Sequence, residues 1–248
     1  MTLIRIQILL TGLLLGLTSF SQTSELRSID SSLTSTFKAM LAWNHNLNND
    51  SLPFSFKKQL IVQLTNPITF LNVLDSLSTY LNIKSSADKR VKFYSWDETT
   101  QGTWHDIKCI AQFKSDNGEI VVQQLNTENT DTIDYTDSGV YEVNEIFINK
   151  KKYYLIFAWG THGSGHEHKI AQVFSISSNK LEKCRYCFTN NNDLIIEYPR
   201  GEKVELTYNA RSNIITYNEF NYDNNDGFYK PTGRIIALEL INGVFTAR

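Results

Sequence analysis

The hydrophobic period of this chain changes once, near Asn82, and that change limits the folds open to it. Before Asn82, apolar residues recur every three or four positions. Leu26, Ile29, Leu33, Phe37, Met40 and Leu41 do so within Leu26–Trp43, and Phe56, Leu60, Ile61 and Leu64 within Ser55–Leu64. That spacing lines one face of a helix. The run Asn44–Pro53 between them is polar, and Pro53 punctuates it. Asn66-Pro67 then reads as an N-cap followed by proline at the first helical position. Ile68, Leu71, Leu74, Leu77 and Leu81 carry a third predicted helix to the period change.

After Asn82 the period is two, as in a strand with one face buried. The predicted strands are Arg90–Trp96, Trp104–Phe113, Glu119–Leu125, Val143–Ile148, Tyr153–Trp159, Lys169–Ser177, Leu181–Phe188, Asp193–Tyr198, Val204–Asn209, Asn213–Asn218 and Ile235–Ile241. Turn residues such as Asn117-Gly118, Asn149-Lys150, Ser178-Asn179, Arg200-Gly201 and Arg211-Ser212 separate them at short spacing, which argues for an antiparallel meander. Asn occurs 23 times and Pro four times. Asn tolerates the left-handed conformation of tight turns, so this balance favours hairpins.

The expected class is therefore α+β, mainly β. Short helices occupy 22–81, and an antiparallel β-meander (a curved sheet, open barrel or sandwich) occupies 82–248. The alternative is a propeller-like set of four-stranded repeats. Val143–Phe188 and Asp193–Ile241 each have room for four strands over roughly 45–50 residues. Arg90–Leu125 supplies only three, and a closed propeller needs about four blades.

Residues Met1–Ser21 read as a signal peptide. Arg5 gives a positive start, Ile6–Leu17 an apolar stretch, and Ser19-Phe20-Ser21 small residues at −3 and −1, so cleavage is expected before Gln22. The apolar stretch falls short of the roughly 20 residues that span a bilayer. The expected location is outside the cytoplasm, periplasmic or extracellular, with no membrane span after cleavage. The formal charge of −2 argues against a nucleic-acid partner, which needs a basic surface.

The segment Val91-Lys92-Phe93-Tyr94-Ser95-Trp96-Asp97, then Gln101-Gly102-Thr103-Trp104-His105, follows short helices and precedes Tyr153-Tyr154-Leu155. This pattern over residues 55–190 resembles a group of uncharacterised exported proteins of Bacteroidota that carry a "YSWD…GGT" segment. Gln101 stands where that pattern has glycine. The resemblance implies an exported helical-plus-β protein and brings no activity with it.

Several clusters offer chemistry. Gly160-Thr161-His162-Gly163-Ser164-Gly165-His166-Glu167-His168 places three histidines within seven residues. No cofactor is expected, and the alternative is zinc or another divalent metal on His162, His166 and His168, with an oxygen from Glu167. The glycines argue against the helical His-Glu-x-x-His signature, so the simpler expectation is a surface loop over Gly160–Glu167 joining two strands. Gly163-Ser164-Gly165 lacks the spacing of an esterase nucleophile elbow.

Cys184-Arg185-Tyr186-Cys187 sits in a predicted strand, where an extended span of about 10 Å is too long for a disulfide. The two thiols join only if the strand breaks into a turn. Otherwise Cys109 pairs with one of them, or all three are small buried residues.

Trp96-Asp97-Glu98 and Trp104-His105-Asp106 bracket one hairpin loop. Trp96 and Trp104 could offer a platform to a sugar or polar polymer, and Asp97, Glu98 or Asp106 could do acid/base work. The simpler expectation is that the indoles plug the core and the acids face water. Asp223-Asn224-Asn225-Asp226-Gly227 fails as a calcium loop, since alignment on Gly227 puts Tyr222 at the first ligand position and Gly233 at the required Glu. Glu128, Asp131, Asp134 and Asp137 make a polar loop. Because no nucleophile, base and orienting group can be assembled, the expected function is a binding or envelope-associated module. A polymer hydrolase, metal-assisted in one version, is the alternative.

Overall fold

The computed structural model describes residues 23–42, 51–98, 105–125, 138–163, 165–189 and 192–248. The proposed signal peptide, Trp104 and the acidic positions 128–137 lie outside them. The chain forms a helical unit that ends at Tyr80 and a β unit that runs from Leu81 to Arg248.

In the helical unit, α1 (23–42) and α2 (Ser51–Leu64) pack through the predicted apolar faces. Leu33, Phe37, Phe56, Leu60 and Leu64 are buried, and the Phe37 and Phe56 rings meet edge to face at 4.9 Å. Pro53 lies inside the first turn of α2, where its missing N–H costs no helical hydrogen bond. Asn66 caps α3 (Pro67–Leu71), its side chain accepting from the Ile68 N–H at 3.0 Å. The third helix does not reach Leu81 as predicted. It stops at Leu71, and a 3₁₀ turn over Leu77–Thr79 follows. The buried Asp30 carboxylate accepts the Ser76 and Leu77 N–H groups at 2.8 and 2.9 Å, satisfying the donors that open this turn.

Among the described residues, the β unit holds 13 strands in three antiparallel sheets. The first is β1 (Asn82–Ser85), β2 (Val91–Asp97), β3 (Ile107–Lys114) and β4 (Ile120–Gln124) in sequential order. The second is β5 (Gly139–Ile148), β6 (Lys151–Gly163), β7 (His166–Ser177) and β8 (Lys180–Lys183), with β9 (Leu194–Pro199) paired to the first half of β7. The third is β10 (Leu206–Asn209), β11 (Ile214–Asp223), β12 (Phe228–Ile241) and β13 (Val244–Ala247). The mainly β, antiparallel expectation holds, with no closed barrel among the described residues, whereas β9, which the repeat alternative grouped with the strands of the third sheet, pairs with β7 and makes the middle sheet five-stranded.

The middle sheet is buried on both faces. Tyr154, Ile156, Ala158, Ile170, Phe174 and Ile176 pack with Val91, Phe93, Ala111 and Phe113 of the first sheet. Their neighbours Leu155, Phe157, Ala171 and Val173 pack with Leu206, Ile215, Leu238 and Phe245 of the third. A bulge between Val140 and Glu142 shifts the pairing along β5, and beyond it Ile146 and Ile148 also face the third sheet.

Candidate functional site

The residues around the predicted hairpin site do meet at the open end of β2 and β3. Glu98 N–H donates to the Asp106 carbonyl at 2.9 Å, closing the ladder there. Asp97 Oδ2 lies 2.5 Å from His105 Nδ1, and Asp106 pairs with Lys108 at 2.6 Å. Trp96 is not the exposed platform raised above. It is only 3% exposed, and its indole N–H donates to Glu98 Oε1 at 3.2 Å. The surviving chemistry here is one partly exposed carboxylate–imidazole pair.

The histidine segment is not a surface loop. β6 runs through Gly163 and β7 starts at His166, so the connection is two residues long. His168 is 2% exposed and its Nε2 shares a 2.7 Å hydrogen bond with the Ser138 hydroxyl. His166 turns to the β11–β12 hairpin, while Glu167 accepts from the Trp159 indole at 3.3 Å and faces Arg200 at 3.5 Å. The His162 side chain lies outside the described residues. Among the described residues no three His, Cys, Asp or Glu side chains gather as a metal site.

Cys184 and Cys187 form a disulfide. β8 ends at Lys183, earlier than predicted, and the turn that follows brings the two Cα atoms to 5.7 Å. Cys109 stays outside the disulfide: its sulfur accepts from the Ser95 hydroxyl at 3.4 Å, and it lines a cavity of about 220 Å³ between the first and middle sheets, with Ser138 and Gln172. Burial pushes its pKa up to about 12, so it is protonated at neutral pH and a poor nucleophile.

A cluster of partly exposed aromatics lies at the far end of the β11–β12 hairpin. Beyond a bulge at Asn218–Phe220 this ribbon carries the cross-strand pairs Phe220–Pro231, Tyr222–Tyr229 and Asp223–Phe228. Tyr222 and Tyr229 meet at 5.1 Å. The Phe228 ring lies parallel to the His166 imidazole, 2° from coplanar and 5.2 Å away. Gly165 beside it takes a positive φ of 79°, a backbone conformation that favours glycine. Tyr229 packs edge-on to His166 at 5.9 Å, and its hydroxyl donates to Glu197 on β9.

Lys230 fastens the connecting turn. Its ammonium is 2.7 Å from both Asp223 and Asp226. Hydrogen bonds from Lys230 hold both carboxylates below the ordinary Asp range, and the two acids hold Lys230 above the ordinary Lys range. Asp223 also accepts from Asn225 N–H at 2.9 Å, and Asp226 from Phe228 N–H at 3.1 Å. Tyr222 and Phe228 remain 51% and 42% exposed on this pinned scaffold. The sequence reading missed this surface because β11 and β12 were expected to end at Asn218 and to start at Ile235. The signal was present: Phe220, Tyr222, Phe228 and Tyr229 flank an Asp-Asn-Asn-Asp-Gly turn.

No protein-family profile matches the chain, and neither a curated protein nor a solved structure is significantly similar to it.

Proposed function

We propose that the chain is an exported binding module whose contact surface is the aromatic end of the β11–β12 hairpin. One observation carries this reading: Tyr222 and Phe228 are exposed, yet fixed from behind by Tyr229, His166 and the Lys230 clamp. Exposed aromatics held in place lose little conformational freedom on binding, and most large aromatics would otherwise be buried. Export is supported by the leader-like Met1–Ser21 and by the Cys184–Cys187 disulfide, a bond that persists in oxidising compartments.

Cosedimentation with purified cell-envelope material tests the binding reading. The wild type is expected in the pellet and Phe228→Ala in the supernatant, with an unchanged melting temperature. A wild-type chain that stays in the supernatant refutes it. Export is checked on protein from the native host, where Cys184 and Cys187 should resist alkylation until reduced.

A polymer hydrolase is the second reading, favoured by the Asp97–His105 contact alone. It requires that Asp97→Asn abolish release of soluble fragments from such material.

A further inference from the structure

We infer that the cavity between the first and middle sheets is a binding site for a small neutral organic molecule, with the bulk of two fused rings and one N–H or O–H donor. Val140, Ile156, Ala158 and Phe174 line it from the middle sheet, and none is more than 5% exposed. An apolar cavity of roughly 150 Å³ takes benzene, so the volume here, about 220 Å³, has room for a second ring. Water fills such a space poorly, because each molecule needs several polar partners and these walls offer few. Most of the polar groups that do line it are engaged. Ser138 shares its hydrogen bond with His168. The Gln123 amide donates to the Leu181 carbonyl at 3.0 Å and accepts from the Leu181 N–H at 2.9 Å, which ties β4 to β8 and fixes that wall. Gln172 differs. It is 8% exposed and its Nε2 donates to Asp193 Oδ2 at 3.2 Å, but its Oε1 accepts from no described residue. A buried carbonyl without a donor costs free energy, which a ligand N–H or O–H in the cavity would recover.

Charge narrows the class. Lys183 is the one charged side chain on the cavity wall, and its ammonium is 2.9 Å from Asp193 Oδ2. The pair is neutral together. Asp193 Oδ1 is buried beside it and accepts from no described residue. An anionic guest would compete with Asp193 for Lys183 and lie close to that oxygen. A guest of either charge would also be desolvated among apolar side chains, which is costly. A neutral donor meets neither penalty.

Methyl NMR titration of the folded protein tests this. The probe is indole. Indene has the same shape without the N–H, and indole-5-carboxylate and tryptamine are charged analogues. Indole is expected to shift the Val140, Ile156 and Leu181 methyls saturably, with a Kd below about 1 mM. Indene should bind about fivefold more weakly, for want of the hydrogen bond to Gln172. The charged analogues should leave these methyls unmoved. Gln172→Leu should erase the preference for indole over indene, and Ala158→Leu, which fills the cavity, should abolish binding of both. Melting temperatures of the variants are measured alongside, and Gln172→Met replaces Gln172→Leu if the latter melts below the wild type. Four results overturn the inference: no saturable shift of the cavity methyls, equal binding of indole and indene to the wild type, tighter binding of a charged analogue, or a preference for indole that survives loss of Gln172. The first three are read on the wild type, so a variant that fails to fold does not shield the inference from refutation.

Discussion

Asp88 shows how much a single carboxylate can tie together. It sits in the turn between β1 and β2, where Oδ1 accepts from the Ser86 hydroxyl at 2.6 Å and the Arg90 N–H at 3.0 Å. Oδ2 reaches the middle sheet, accepting from Lys152 at 2.8 Å and from the Tyr154 hydroxyl at 3.1 Å. Lys152 in turn is 2.8 Å from Glu145. Burial alone would raise the Asp88 pKa. The donors on Lys152, Ser86, Arg90 and Tyr154 outweigh it and hold the group at about 2. A depressed carboxylate pKa means stabilisation that is complete above the unfolded value near 3.8 and is lost as pH falls towards 2. The shift corresponds to on the order of 2 kcal/mol. Asp88→Asn should therefore cost about that much at pH 7 and flatten the stability curve between pH 4 and pH 2. Urea midpoints across that range check it, and a variant with the wild-type slope rules the assignment out. Side-chain partners were legible in sequence only where they are local. Asp97 and His105 meet because one hairpin joins them, whereas Ser138 and His168 are 30 residues apart and nothing in the sequence pairs them.

At the scale of elements, the Cys184–Cys187 turn couples two sheets. Cys184 N–H donates to Val173 of β7 at 2.7 Å, and Cys187 accepts from Phe245 of β13 at 2.8 Å. Phe188 stacks on Phe245 at 5.4 Å. The disulfide closes a loop of only four residues, so loop-closure entropy assigns it about 2 kcal/mol. Cys184→Ser/Cys187→Ser should lower the melting temperature by roughly 4–8 °C, and should deprotect β13 amides before those of β6 in hydrogen exchange. Equal melting of the two proteins would show that the turn holds without its crosslink. β13 itself was readable and was missed. Asn242-Gly243 between Ile241 and Val244 is a two-residue hairpin signal, and both residues take positive φ, 51° and 89°. A Cβ on Gly243 would also stand 2.6 Å from Ile148 Cγ2, so packing and turn both select glycine. β1 (Asn82–Ser85) was not readable in the same way, since four residues with two polar ends carry almost no periodic signal.

At the scale of the whole β unit, the position of the middle sheet decides how stability is shared. Antiparallel sheets commonly keep one face for water and show it by alternation. Tyr153–Trp159 is instead an unbroken apolar run, because odd residues face the third sheet and even residues the first. The run was legible as a strand. Its two burial partners were not, since a local pattern records that a face is apolar without recording what covers it. This arrangement makes the middle sheet dependent on both neighbours: releasing the third sheet would expose Leu155, Phe157, Ala171 and Val173 to water at once. Each such side chain loses roughly 1.5–3 kcal/mol on exposure, although Ala171 loses less. Separate unfolding of one sheet is therefore costly, and the three sheets should open as one cooperative unit. Phe157→Ala removes packing against the third sheet and Ile156→Ala removes packing against the first, with expected costs of about 3–5 and 2–5 kcal/mol. In native-state hydrogen exchange, each substitution should lower the opening free energy of the slowest amides in β3, β6 and β11 by the same amount. If Phe157→Ala weakens only β11 and leaves β3 unchanged, the third sheet opens on its own and the stacked sheets do not form one cooperative unit.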